Sequence, residues 1–278
     1  MDEIARLKEE ILKDYPRLSP ADEFTFACHK GVACFNSCCS DVNIFLTPYD
    51  IVRLRRALGI SSGEFLKKYT LMPSGENLDY PVVQLKMDED AKKTCPFVTD
   101  QGCRVYADRP WPCRMYPLGL ASSEDEGKED GNEFYFVLED SDCKGFEEKK
   151  TWKVAGWLVD QGISDYNQAG REFKTIILHR YFKGGQRLTP QKAEMFVMAC
   201  YDIDRFREFL FKSSFFDKFI VDQQTRKSLK NDDVELLGFA YDWLRFALFG
   251  EKTLTVRGDI LEAKRQELDA RGGERRWI

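Results

Sequence analysis

The stretch 26-FACHKGVACFNSCCSDVNIFLTPYD-50 places Cys28, Cys34, Cys38 and Cys39 within twelve residues and then passes at once into an apolar segment. Thiols clustered beside a folding segment are usually cross-links or metal ligands, and the rest of the chain decides between these uses. With 278 residues, 43% of them hydrophobic and 13% aromatic, the chain is long enough for a real core and for two packed units, so its folding does not call for disulfides. The opening MDEIARLKEEILKDYPRL mixes acids and bases at helical spacing, with Ile4, Leu7, Ile11 and Leu12 on one stripe, and lacks the unbroken apolar run of a signal peptide. No segment approaches the ~20 apolar residues of a membrane span. The expected setting is therefore cytoplasmic, where thiols stay reduced, and nine cysteines then read as metal ligands or redox groups rather than cross-links. A formal net charge of −5, with basic residues scattered among acids, leaves no electrostatic footprint for nucleic acid.

Eight of the nine cysteines lie before residue 145: to the first four the chain adds Cys95, Cys103 and Cys113 in 95-CPFVTDQGCRVYADRPWPCRMYPLG-119, then Cys143. Cys200, alone in the other half, sits in an apolar helical pattern and reads as a small buried hydrophobe. Thiolate is a soft ligand that suits zinc, cuprous copper or iron–sulfur clusters. No pair has the two-residue spacing of a zinc-ribbon knuckle. Neighbouring Cys38 and Cys39 would point to opposite faces of an extended backbone and so serve different metal atoms. Two four-thiolate sites or one polynuclear cluster both remain open. Eight thiolates around two divalent ions leave a net charge of about −4, which calls for cationic partners. Arg104, Arg109 and Arg114, each near a cysteine in the chain, are candidates for hydrogen bonding to sulfur. His29, directly after Cys28, is a possible extra ligand. A redox role for the vicinal pair alone would leave six clustered thiols unexplained, and no phosphate-binding loop, dinucleotide fingerprint, nucleophile elbow or His-Glu-x-x-His pattern occurs.

The expected fold class is α+β: a small irregular cysteine-rich metal-binding module with short strands, followed by a mainly helical domain. An N-terminal helix occupies 1–20, the module 21–146 and the helical domain 147–278. In the module, VNIFL, YPVVQLKM and FYFVLED read as strands, CPFVTDQGCRVY as a hairpin about Asp100-Gln101-Gly102, and SSEDEGKEDGNE as an acidic loop. TPYDIVRLRRALG is a helix with Thr47 as N-cap, Pro48 first, Asp50 closing a capping box and Gly59 as stop. SSGEFLKKYT is a second, short helix. Pro110, Pro112 and Pro117 predict an extended, irregular track through Cys113. From about residue 146 apolar residues recur at three- and four-residue spacing; Phe206, Phe209 and Leu210, and Trp243, Leu244, Ala247 and Leu248, read as core faces.

The two cysteine stretches with Cys143 in DCKGF resemble the YkgJ-like cysteine-cluster family of zinc- or iron-chelating domains, whose opening is of the CxxxCxxCC type. The Cys-Pro-Phe start and Arg-Pro-x-x-Cys-Arg-x-Tyr-Pro are the more specific part, and the likeness covers about residues 24–146. This chain departs from the opening in the longer spacings from Cys28 to Cys34 and from Cys34 to Cys38. The resemblance implies metal chelation by Cys28, Cys34, Cys38, Cys39, Cys95, Cys103, Cys113 and Cys143, with zinc, iron or an iron–sulfur centre. Related cysteine clusters occur in protein lysine N-methylases that use S-adenosylmethionine, which keeps an enzymatic alternative with a protein substrate. In that case Tyr106, Tyr116 or Arg114 would project into a pocket. A zinc-stabilised scaffold for a protein partner is a third reading.

Overall fold

The computed structural model describes residues 15–73, 78–122 and 133–270. The helix expected over the first residues and most of the acidic loop lie outside the described residues. The fold class is α+β: short strands in small sheets dominate the cysteine-bearing region, and helices dominate the rest. Two compact units divide the chain, 1–42 with 87–165 and 43–86 with 166–278. The sequence-based division was contiguous, whereas these units interleave: residues 43–86, which separate the two cysteine stretches, pack with the helical half.

The first unit is built on antiparallel pairs: β1 (Glu23–Thr25) is joined to a strand at Thr151–Lys153, the hairpin Val98–Thr99/Gly102–Cys103 has the expected turn, and a ribbon pairs Leu118–Ser122 with Glu133–Val137. Thr151–Lys153 corrects the helical reading of FEEKKTWKVAGWLVDQG, in which only Val154–Asp160 is α-helix. The helical spacing in that stretch is real, but Glu23–Thr25 supplies a strand edge that no local pattern announces. Phe24, Phe26, Met115, Leu118, Val154, Trp157 and Ile163 form this unit's core. Phe26 sits in edge contact with Trp157 at 5.7 Å and with Tyr116 at 5.7 Å between ring centroids.

Cys113 lies not on an extended track but in a one-turn helix, Trp111–Met115. Proline is barred from a helix interior yet fits the first turn, where its missing N–H would have no partner. Pro110 is the N-cap and Pro112 the second helical residue, while Pro117 follows the end on a cis Tyr116–Pro117 peptide.

In the second unit, α1 (Pro48–Leu58) begins and ends as its sequence requires. The Thr47 side chain accepts from the Asp50 N–H, the Asp50 carboxylate accepts from the Thr47 N–H, and Gly59 closes the helix at φ 65°. α2 (Ser62–Tyr69) follows, and a three-stranded sheet sets Val83–Leu85 between Phe45–Leu46 and Thr70–Leu71. The remaining helices used below are α3 (Pro190–Cys200), α4 (Ile203–Lys212) and α5 (Asp233–Phe249). Phe206 and Leu210 of α4 and Leu244 of α5 have no exposed surface, and Phe209 packs on Trp243 at 5.2 Å. These are core faces, as their spacing predicts. Cys200 is likewise fully buried, and burial pushes its thiol well above the ordinary range. Among the described residues no helix is long and apolar enough to cross a membrane.

Candidate metal centre

Residues 26–28 run beside 143–150. Phe26 N–H donates to the Lys150 carbonyl at 2.9 Å and Ala27 N–H to the Gly145 carbonyl at 3.0 Å. A Cβ on Gly145 would stand 2.8 Å from the Ala27 carbonyl oxygen and 2.6 Å from the Phe26 ring, so the approach needs glycine. One residue earlier, Lys144 N–H donates to Cys34 Sγ at 3.1 Å, and the Tyr116 hydroxyl hydrogen-bonds the Cys143 thiol. Successive i to i+3 turns coil the segment from His29 to Cys39, bringing Cys28 within electrostatic reach of Cys34, Cys38 and Cys143. Burial first, then those three neighbours, pushes the Cys28 thiol up to about 11. Gly145→Ala is expected to destabilise the protein by about 1–3 kcal/mol, the usual cost of overpacking. Urea unfolding measures this, and a midpoint unchanged from wild type would mean that the 143–146 segment yields without loss.

The segments that carry Cys39, Cys95 and Cys103 meet through backbone bonds. Cys95 N–H donates to the Cys39 carbonyl at 2.8 Å, and Ser40 and Thr94 form a β-bridge beside it. Across the hairpin Val98 pairs with Cys103, while Val98 N–H donates to the Cys95 carbonyl at 3.1 Å. Cys39 feels Cys95 and Cys113 electrostatically, and Cys95 feels Cys103. Sulfur accepts from backbone here too: the amides of Phe97 and Val98 serve Cys95, and that of Val105 serves Cys103. Such N–H donors stabilise the charged form of sulfur, although burial outweighs them and leaves both thiols raised.

Cys38 and Cys39 stand on a 3-10 turn, Ser37–Cys39, entered from Asn36 at φ 70°. The extended backbone expected at the pair is therefore absent, and the two thiols hydrogen-bond each other. The Cys39 thiol, as donor, holds Cys38 down at about 7; the same bond and burial push Cys39 up.

Arg109, buried, donates to the Tyr106 carbonyl at 2.6 Å and to the Gln161 side chain, and its guanidinium lies 3.8 Å over the Tyr106 ring. Arg114, also buried, donates to the carbonyls of Arg109 at 3.0 Å, Gln161 at 2.7 Å and Ala107. Both cations thus tie the proline-rich loop to the Gln161 turn. Arg109 also acts electrostatically on Cys103 and Cys113, and Arg104 on Cys103. His29 has both ring nitrogens engaged: Nδ1 accepts from Gly31 N–H at 3.1 Å and Nε2 lies 3.4 Å from Glu148.

The donor set fits a thiophilic metal. It provides eight free thiols in one unit, a backbone N–H on Cys34, and arginine charge acting on Cys103 and Cys113. Among the described residues, no three Cys, His, Asp or Glu side chains are already drawn into a metal-holding group.

Residues 27–144 match the family described as "Putative zinc- or iron-chelating domain", CxxCxxCC. The matched segment is less than half of the chain and is similar to that family. No curated protein and no solved structure matches the chain. The match begins one residue before Cys28 and ends one residue after Cys143, so it encloses all eight clustered cysteines. It also includes residues 43–86, which pack in the other unit. Sequence spacing did not announce the backbone amide of Lys144 or the Tyr116 hydroxyl as partners of sulfur, because both depend on contacts across the unit.

Proposed function

We propose that this chain is a metal-binding protein of a reducing, cytoplasmic setting, holding zinc or iron on the thiolates of its CxxCxxCC domain. The observation that carries this is the family match, which encloses all eight clustered cysteines. The Lys144 N–H donates to Cys34 Sγ at 3.1 Å, a bond that favours the charged form of that sulfur. The eight clustered cysteines are free thiols and so available as ligands.

Cys28, Cys34, Cys38, Cys39, Cys95, Cys103, Cys113 and Cys143 would hold the metal. When bound, zinc would supply a redox-inert cross-link and iron an electron-accepting centre. The chain's own contribution is to bond residues 26–27 to 145–150 and Cys95 to Cys39 through the backbone. Arg109 offsets part of the accumulating negative charge. The test is to purify the chain anaerobically, without tags or chelators, and measure zinc, iron and acid-labile sulfide per chain on a sample with a recorded absorption spectrum. Bound zinc or iron that survives gel filtration is expected, and sulfide in near-equal amount to iron would identify an iron–sulfur centre. A chain that emerges without either metal, and takes up neither when offered, would end this reading.

A further inference from the structure

We propose that the second unit carries a docking surface for an acidic segment of a partner protein, centred on Arg226 and flanked by the exposed side chains of Phe211 and Ile220. Arg226 stands on the helix Gln223–Asn231. Its Nε donates to the Val221 carbonyl at 3.0 Å, and its guanidinium lies 4.4 Å over the Phe216 ring, so the side chain is fixed before anything binds. Among the described residues no carboxylate forms an ion pair with its two terminal nitrogens. Phe216 continues the surface to Phe211 of α4, whose ring centroid is 5.1 Å away. On the other side the backbone is pinned: Phe219 bridges to Val256, and the Ile220 N–H donates to the Thr255 carbonyl at 2.9 Å. From this anchored segment Ile220 still leaves 62% of its surface exposed, and Phe211 leaves 36%.

Charge and geometry choose the occupant. Residues 212–231 hold five lysines and arginines against Asp217 and Asp222, in a chain whose formal net charge is −5. Lys212 pairs with Glu208 at 2.7 Å, and Asp222 caps its own helix by accepting from the Thr225 N–H at 2.9 Å, whereas the fork of Arg226 stays open. A guanidinium held flat offers a carboxylate two parallel hydrogen bonds. A pinned arginine beside apolar side chains is the usual composition of an interface anchor, and a side chain already fixed loses little freedom on binding. A lipid surface or a nucleic acid presents its anions as an extended array, which would also press negative charge against Asp217 and Asp222. A short segment with one carboxylate between apolar side chains matches Arg226 and its two flanks and avoids those acids.

The test uses the full chain and a short, blocked, fluorescein-labelled peptide that alternates glutamate with leucine, read by fluorescence anisotropy at low salt. Binding to the wild type is expected with a dissociation constant on the order of 0.1 mM. Arg226→Gln should weaken it about tenfold, and Arg226→Lys nearly as much, because a point charge does not replace the planar fork. Ile220→Ser, at an exposed position, should weaken it several-fold. Far-UV circular dichroism of each variant is expected to match wild type, and a companion peptide with glutamine in place of glutamate should not bind. Equal affinity for wild type and Arg226→Gln, equal binding of the glutamine peptide, or no binding of the glutamate peptide up to about 1 mM would overturn the proposal. Phosphatidylserine vesicles or duplex DNA that bind the wild type more tightly than the peptide does, and lose that binding in Arg226→Gln, would assign the surface to a lipid or a nucleic acid and overturn it too.

Discussion

Removing the metal anaerobically with a strong chelator is expected to unfold the cysteine-bearing part of the first unit and to lower its melting temperature by about 10 °C or more. Ordering a residue costs ~1–2 kcal/mol of backbone entropy. Between residues 27 and 42, Val32 is the single buried hydrophobic side chain, and between 87 and 108 only Phe97 and Val105 are buried. The hairpin there has two residues in each strand, and an isolated two-stranded ribbon is at best marginal in water. Apolar burial cannot hold these tracts, whereas a structural zinc site contributes ~10–16 kcal/mol of apparent binding free energy that is realised on folding. A loss of about 2.5 kcal/mol already lowers the melting temperature of a domain of this size by roughly 10 °C. Hydrogen exchange locates the effect. Amides of Ser37, Cys39 and Cys95, bonded at 2.8–3.0 Å to carbonyls within the cysteine segments, should lose protection, while those of α5 keep theirs. Unchanged protection at Cys39 and Cys95 after complete metal removal would show that the fold holds these segments unaided.

What could be read from the chain alone divides by the range of the interaction. α1 was legible to the residue because its determinants are local: Thr47, Pro48 and Asp50 meet within one turn, and Gly59 adopts the left-handed conformation that β-carbon-bearing residues avoid. The eight cysteines were legible as a cluster because they lie close in sequence, and the family match encloses them. The backbone contacts between their segments were not, since Ala27 meets Gly145 and Cys39 meets Cys95 only across the fold. The pairing of Glu23–Thr25 with Thr151–Lys153 escaped for the same reason, and so did the transfer of residues 43–86 to the helical unit. At Cys113 the error was one of position rather than range: three prolines argue against a long helix, but Pro110 and Pro112 stand where a short one begins. At Cys38–Cys39 the extended geometry was assumed, while Asn36 at positive φ starts a 3-10 turn.

Asp233→Ala is expected to destabilise the second unit by about 3 kcal/mol, at the lower end of the cost of breaking a buried ion pair. Asp233 opens α5 and is 7% exposed. Its carboxylate accepts from Arg55 and Arg56 of α1 and from Arg207 of α4. Arg207 also donates to Asp204 at 3.0 Å, and Asp204 accepts from the Ser62 N–H of α2 at 2.8 Å, so four helices are tied through one cluster. Without the carboxylate, Arg55 and Arg207 remain largely enclosed with less negative charge to face. The α5 N-terminus also loses a favourable anion. Burial alone would raise the Asp233 carboxyl; the Arg207 hydrogen bond and the charges of Arg55, Arg207 and Arg56 outweigh it and hold the carboxyl below its ordinary value of 3.8. A depressed folded-state value stabilises the fold at every pH above the unfolded value, and the stabilisation is lost as pH falls through the folded one. Asp233→Asn keeps an acceptor but lacks the charge. Its deficit relative to wild type, measured by urea unfolding, should therefore be full at pH 7 and shrink below about pH 4. A deficit that is the same at pH 7 and pH 3.5 would assign the effect to packing and remove the arginine cluster as its cause.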